Sequence, residues 1–224
     1  MGYKISCLNF GLFLILFGLY SCDNGEKPNQ RPTNPNPKKA GLVLKDKPAF
    51  SSDSAYAYIN DQVNFGPRVP NTDPHKACVA WLEEKLISFG LETNVQEASV
   101  RADDGQDLEI LNIMGQYRPE AEKRILLCAH WDTRPYADRD TENLSKPIDG
   151  ANDGASGVGV LLELARAISK SEQSPNVGVD FVFFDAEDYG KPEGAMIGAS
   201  SNSWCLGSQY WSKNLPIDGY TAEY

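Results

Sequence analysis

Three short acidic segments of the sequence contain the residue types that a hydrolytic zinc site needs. The segments are His130 to Asp132, Gly150 to Gly157 with Asp153 in its middle, and Asp185 to Asp188. Neutral imidazole and carboxylate oxygens are zinc ligands, and a catalytic zinc keeps one position open for water or substrate. Carboxylates gathered at one place raise one another's pKa and oppose ionisation unless a cation is present. The residue types therefore predict a metal site.

Each segment also has an interpretation without catalysis. Asp153 could be a helix N-cap, Asp185 to Asp188 could form a solvated turn, and His130 could be a hydrogen-bonded core residue. The metal site is favoured because each segment directly follows an apolar run or begins the helix that faces it. The other histidine, His75, lies just inside a predicted helix start, and this position predicts a surface residue.

Two short apolar runs and one amphipathic stripe would position these segments. The runs Ile125 to Ala129 and Val179 to Phe184 show little alternation, which is typical of strands covered on both faces. Between them, a helical stripe extends from Val158 to Ile168. Strand, helix and strand in this order make a crossover unit of a parallel sheet. Ligands bind beyond the carboxyl ends of such strands, which is where the acidic segments lie.

The chain before this unit predicts two helices and two further strands. The first helix is capped by Ser52 or Asp53, and the second begins at an Asp73 N-cap that is followed by a proline. The strands are predicted over residues 91–100, at an edge of the sheet, and 108–114, after turn residues that include a glycine. These elements supply the remaining layers of the domain.

Composition excludes several classes of protein. The 224 residues are 41% hydrophobic, which leaves room for one core-forming domain. A formal net charge of −10 repels phosphate backbones, so nucleic acid is not an expected partner. Five cysteines are too few for a disulfide scaffold. Cys128 lies inside an apolar run and is predicted to be a small buried residue.

The N-terminal part predicts export and a lipid anchor. Lys4 precedes an apolar run over residues 7–19, which is too short for a spanning helix and is typical of a signal peptide. The run ends in Leu19-Tyr20-Ser21-Cys22, which resembles the lipobox of bacterial lipoproteins and implies acylation of Cys22. The alternative is a plain secretory signal or membrane anchor with an incidental cysteine. The predicted divisions are a lipoprotein signal peptide at 1–21, a flexible Pro/Asn-rich tether at 22–47 and a catalytic domain at 48–224. The predicted location is the periplasmic side of a membrane or the cell surface.

The acidic segments together resemble the zinc-dependent aminopeptidase superfamily of secreted exopeptidases. Four motifs are more similar to the bacterial glutaminyl cyclases of that superfamily: Pro67 to Pro70, His130 to Pro135, Glu187 to Gly190 and Trp204 to Trp211. The resemblance implies an α/β fold, a three-layer sandwich with a mixed, largely parallel sheet covered by helices on both faces, and one zinc ion. No convincing strand follows Phe184, and four strands make a thin sheet. We therefore expect that the C-terminal part of the fold is missing from this sequence.

The resemblance also implies roles for individual residues. Asp153 and Asp188 match zinc ligands, and Glu187 matches a general acid/base, although family members more often have two consecutive Glu residues there. His130 matches either a residue that supports the site from beside the metal or an alternative metal ligand. The family's third ligand is a His far downstream, and no His follows His130 in this sequence. That ligand is therefore expected beyond Tyr224, and this fragment alone is expected to be inactive.

The implied activity is that of a glutaminyl-peptide cyclotransferase, which converts N-terminal glutaminyl residues of exported peptides or proteins to pyroglutamate and ammonia. Trp131 and Trp204, with Trp211 as a further candidate, are predicted to build a hydrophobic substrate pocket, although core packing is the alternative for Trp131 and Trp211. Two other functions remain open. One is a zinc-dependent aminopeptidase in which Glu187 activates water, and the other is a non-catalytic surface-binding lipoprotein.

Overall fold

The computed structural model describes residues 47–172, 175–191 and 203–223. The predicted signal peptide, Cys22 and all but the last residue of the predicted tether lie outside these residues. In chain order the elements are α1 (Ser52–Asn64), α2 (Asp73–Ser88), β1 (Glu92–Arg101), β2 (Asp107–Tyr117), β3 (Arg124–His130), α3 (Ala155–Ser169), β4 (Gly178–Phe184) and α4 (Leu206–Lys213). In the part of the chain that the structure describes, no helix is long and apolar enough to span a membrane.

Four strands form one mixed sheet in the order β1, β2, β4, β3. β3 and β4 pair in parallel and are connected through α3, as the strand–helix–strand pattern predicts. β1 pairs with β2, and β2 with β4, in antiparallel register. The mixed α/β sheet is confirmed, but parallel pairing does not predominate among the described strands. β1 and β2 pair in antiparallel register because a tight turn at Gly105, whose φ of +86° suits a glycine, joins them and reverses the chain direction.

Helices cover both faces of this sheet. Side chains alternate between the two faces along a strand, so neighbouring residues of β2 belong to different clusters. Ile113 packs in the larger cluster with Leu82 of α2 and Leu162 of α3. Ile110 packs in the second cluster with Leu206 of α4. The layered arrangement of helices around a sheet is therefore confirmed.

The helix starts differ slightly from the predicted ones. The N-caps are Ser51 and Thr72, whose side-chain oxygens accept backbone N–H groups of the first turn. The expected caps Ser52 and Asp73 are instead the first helical residues. α4 is not predicted by the sequence, because it is short and because Cys205, the residue before it, makes no side-chain capping bond.

Two expectations about burial are wrong. His75 has no exposed surface, because α2 presses it against the core instead of solvent. Cys128 is exposed, because it lies on the face of β3 opposite to Leu127 and Ala129, which pack on the larger cluster. The described helix on that opposite face, α4, packs on β2 rather than on β3. Burial in both cases depends on which elements the fold places alongside, and local pattern does not reveal them.

Candidate active site

The three acidic segments meet at the carboxyl ends of the parallel strands. His130 and Phe184 are the last residues of β3 and β4 and lie opposite each other in the sheet. The start of α3 packs directly against His130. A Cβ atom added to Gly154 would lie only 2.3 Å from the His130 carbonyl oxygen, so this close approach requires a glycine. Glycine therefore brings Asp153, the residue before it, next to the end of β3.

Asp132 fixes the turn that follows β4. Its Oδ1 accepts the backbone N–H of Glu187 at 3.0 Å, and its Oδ2 accepts that of Asp188 at 3.1 Å. Asp132 has no exposed surface. One buried carboxylate thus holds two consecutive amides and sets the direction in which both following side chains leave the turn. Asp132 has no individual role among the residues predicted from the sequence, although its place immediately after the strand is a signal for one.

His130 lies between the acidic segments. Its Nε2 is 2.8 Å from Asp153 Oδ1 and 3.8 Å from Glu187 Oε2, while its Nδ1 is 3.4 Å from Asp132 Oδ1. Burial alone would lower the pKa of His130, but its interactions with Asp132, with Glu187 and then with Asp153 outweigh burial and raise the pKa to about 9. The imidazole therefore joins all three segments electrostatically.

Burial and neighbouring charges perturb the carboxyl group of Asp188. Burial raises the pKa of Asp188 to about 6, and the next largest cause is the negative charge of Asp153. Asp132 and Glu187 raise the pKa further, whereas Arg134, whose Nη1 lies 3.8 Å from Asp188 Oδ1, lowers it. The negative charge of Asp153 therefore acts on Asp188.

This set of carboxylates fits a divalent cation in charge and in ligand type. Asp153 and Asp188 offer oxygen ligands, and a cation between them would relieve the repulsion that raises the pKa of Asp188. Among the described residues, however, no group of three or more His, Cys, Asp or Glu side chains is arranged to hold a metal ion. The roles of Asp153, Asp188 and Glu187 remain predictions.

The two tryptophans predicted to line a pocket have different environments. Trp131 has no exposed surface, stacks on His75 at 4.5 Å between ring centroids and donates its indole N–H to the Leu111 carbonyl. A fully buried side chain does not contact a substrate, so the structure contradicts the pocket role of Trp131. Trp204 is 38% exposed, and the guanidinium of Arg134 lies 4.8 Å from its ring centroid. Its predicted pocket role remains a prediction.

A buried polar pair supports the site from behind. His75 Nε2 lies 2.8 Å from Asp185 Oδ2, and neither side chain is exposed. The same carboxylate accepts the backbone N–H groups of Leu111 and Ala186, both within 2.8 Å. The His75 ring stacks on Trp131, so one pair connects α2 to the residues that follow β3 and β4. Sequence reasoning missed this contact because the partners are far apart in the chain.

Comparisons with known proteins identify the family of this fold. The family model described as peptidase family M28 matches residues 112–222. The chain carries an M28 domain. The match begins in β2 and includes every residue of the candidate site named above that follows β2, from His130 to Trp204.

The chain is similar to solved structures of two descriptions. Glutaminyl cyclase of Bacteroides thetaiotaomicron, solved bound to N-acetylhistamine, is 52% identical, with a TM-score of 0.77 over 80% of this chain and 61% of that one. A Zn-dependent exopeptidase of Parabacteroides distasonis is 53% identical, with a TM-score of 0.75 over 79% of this chain and 60% of that one. Among curated proteins, aminopeptidase YwaD of Bacillus subtilis is 25% identical over 61% of this chain and 28% of that protein.

The chain spans only part of the proteins that it resembles. It covers 60% and 61% of the two solved chains and 22% to 33% of the curated relatives that it matches. These comparisons support the zinc exopeptidase-like fold and a relationship to glutaminyl cyclases. The activity of the whole protein is a proposal.

Proposed function

We propose that this protein is a glutaminyl-peptide cyclotransferase that acts on peptides or proteins with an N-terminal Gln. The observation that carries the proposal is the turn held by Asp132, which presents Glu187 and Asp188 beside His130 and Asp153. The similarity to glutaminyl cyclases at about half of the aligned positions also supports the proposal.

The proposed reaction needs one acid/base and little else from the protein. The attacking α-amine and the γ-amide belong to the same residue, so binding the folded substrate supplies proximity. Glu187 takes a proton from the α-amine as the amine nitrogen bonds to the carbonyl carbon of the γ-amide, and returns that proton to the departing amide nitrogen. The carbon–nitrogen bond to that nitrogen breaks, and ammonia and pyroglutamate leave. Glu187 is 36% exposed at its side chain, so a substrate can reach it.

Asp153 and Asp188 would hold one zinc ion in this proposal, with a third ligand outside the described residues. When bound, zinc would act as a Lewis acid that polarises the γ-amide carbonyl. His130 would support the site by orienting Asp153 through the 2.8 Å contact of its Nε2. This arrangement matches the supporting role of the histidine better than the role of a ligand, because the imidazole already contacts two other carboxylates.

The test is to incubate the protein expressed from its whole gene with Gln-peptides. Ammonia release without chain shortening supports the cyclase, whereas absence of both turnover and bound zinc would support a non-catalytic binding protein. Glu187→Gln is expected to retain zinc and to lose ammonia release by about a hundredfold or more, which is the range for a general base. Retained turnover would remove Glu187 from the mechanism.

A zinc-dependent aminopeptidase is the second candidate, favoured by the similarity to the Zn-dependent exopeptidase and to aminopeptidase YwaD. In that reaction Glu187 would take a proton from a water molecule instead of from the substrate amine. The same incubation separates the two functions, because a peptidase releases the free N-terminal amino acid and a shortened peptide.

The lipid anchor is also a proposal, and it is independent of the reaction. Acylation of Cys22 would tether the domain to the periplasmic side of a membrane or to the cell surface. Cys22→Ala is expected to move the protein from the detergent phase to the aqueous phase of a detergent partition. Unchanged partitioning would show that Cys22 does not carry the anchor.

A further inference from the structure

The segment that leads into α4 is bonded to the turn that carries Glu187. Cys205 donates its backbone N–H to the Glu187 carbonyl at 2.8 Å, Leu206 donates to Ala186 at 3.0 Å and Gly207 donates to Asp185 at 3.0 Å. These contacts fix the turn in addition to the two bonds to Asp132. The chain enters them through Cys205, whose φ of +55° lies in the left-handed region.

The left-handed backbone at Cys205 aims its side chain at Glu187. Cys205 Sγ donates a hydrogen bond to Glu187 Oε1 at 3.3 Å, within the range for sulfur donors. The other oxygen, Oε2, lies 3.8 Å from His130 Nε2, on the side where Asp153 also lies. The two oxygens of the Glu187 carboxylate therefore have different environments. A non-glycine residue with positive φ is uncommon, and such residues concentrate at functional sites.

We propose that Cys205 is a positioning residue for Glu187: its thiol holds Oε1, so that Oε2 is the oxygen that takes and returns the proton. The inference rests on the proposed function, in which Glu187 is the acid/base. Burial and the contact with Glu187 raise the pKa of the Cys205 thiol to about 11, so the thiol carries its proton at neutral pH.

A thiol suits this position because it is a weak donor. An ionised donor such as Arg or Lys would make a much stronger bond to the carboxylate and would stabilise its charged form, which weakens it as a base. The S–H group fixes the direction of Glu187 without placing a charge beside it. A hydroxyl in the same place would preserve the direction, and a methyl group would not.

The test compares Cys205→Ala, Cys205→Ser and the control Cys128→Ala in the protein expressed from its whole gene. Cys128 is an exposed cysteine outside the candidate site, so its substitution should leave kcat unchanged. Cys205→Ala is expected to lower kcat by about tenfold or more, with KM unchanged, because the base loses its alignment but the binding groups remain. Cys205→Ser is expected to recover most of the loss. Wild-type kcat in Cys205→Ala, or equal losses in the two variants, would overturn the inference.

A spectroscopic measurement tests the contact without any activity assay. The Raman S–H stretching band of Cys205 is identified by its loss in Cys205→Ser. The S–H band of a hydrogen-bonded thiol lies at lower frequency than that of a thiol without an acceptor. Glu187→Ala is expected to shift that band upward, and an unchanged band would overturn the inference even where Cys205→Ala fails to fold. A wild-type protein without cyclase activity would instead refute the proposed function, so the two failures are distinguishable.

Discussion

Replacement of Asp132 with Asn is expected to release the turn that carries Glu187 and Asp188, although the two side chains have nearly the same shape. In the wild type, one buried carboxylate accepts both backbone N–H groups, at 3.0 and 3.1 Å. An Asn side chain has one acceptor oxygen, so one of the two amides would face an NH2 donor. The change therefore leaves a buried amide without an acceptor and exchanges the other charge-assisted bond for a neutral one.

The magnitude follows from these two losses. A buried donor without a partner costs about 1–3 kcal/mol, and the weaker second bond costs about 1 kcal/mol more. We therefore expect Asp132→Asn to lower the free energy of unfolding by about 2–4 kcal/mol. Because Glu187 and Asp188 would leave their positions together, we also expect kcat of the proposed cyclase to fall by about a hundredfold.

Urea unfolding measures the stability of each variant, and an ammonia-release assay on separate samples without denaturant measures kcat. Asp107→Asn is the matched control, because Asp107 makes an exposed ion pair with Arg101 and both side chains are 64% exposed. Its free energy of unfolding should change by less than about 0.5 kcal/mol. If Asp132→Asn matched this control in both stability and kcat, the argument for the two-amide bond would be refuted.

Two further predictions concern stability. Asp180→Ala is expected to lower the free energy of unfolding by about 3–5 kcal/mol, because it leaves the mostly buried guanidinium of Arg124 without its carboxylate partner. Tyr220→Phe removes only one bond to the same carboxylate, so urea unfolding should show a loss of about 1 kcal/mol. Equal losses in the two variants would contradict the reasoning. The bond from Arg166 holds the pKa of Glu163 below its usual value, so this stabilisation is present above the unfolded pKa near 4.3 and is lost as pH falls through the folded pKa. The stability difference between wild type and Glu163→Gln should therefore shrink below about pH 4, and a pH-independent difference would contradict this.

The sequence predicts the centre of the fold well because its signals are local. The apolar runs that form β3 and β4 and the stripe that forms α3 each carry their own periodicity. A crossover between parallel strands brings the strand ends to one edge. The meeting of His130, Asp153 and Glu187 at that edge follows from these elements. In the structure, His130 Nε2 lies 2.8 Å from Asp153 Oδ1 and 3.8 Å from Glu187 Oε2.

The remaining residues could not be assigned because their environment depends on distant partners. The position of His75 just after a helix cap predicts an exposed polar residue. It is buried because it pairs with Asp185, which is 110 residues away in the sequence. Trp131 reads equally well as a pocket wall or as core, and the stacking on His75 decides for core. Cys205 has no capping signal and no apolar period, so neither α4 nor the contact with Glu187 is visible before the fold is known.

The buried polar residues behind the site are better explained by their effect on the orientation of Glu187 than by a gain in stability. Burial raises the pKa of Asp185, and the contact with His75 opposes that rise, so the pair must offset its own desolvation. Apolar side chains of similar volume often stabilise a fold as well as a buried ionic pair does. Apolar side chains could not, however, accept the N–H groups of Leu111 and Ala186. These two bonds fix the chain just before Glu187 against β2. Asp185, Asp132 and Cys205 each bond the same turn, and their shared effect is to fix where Glu187 points.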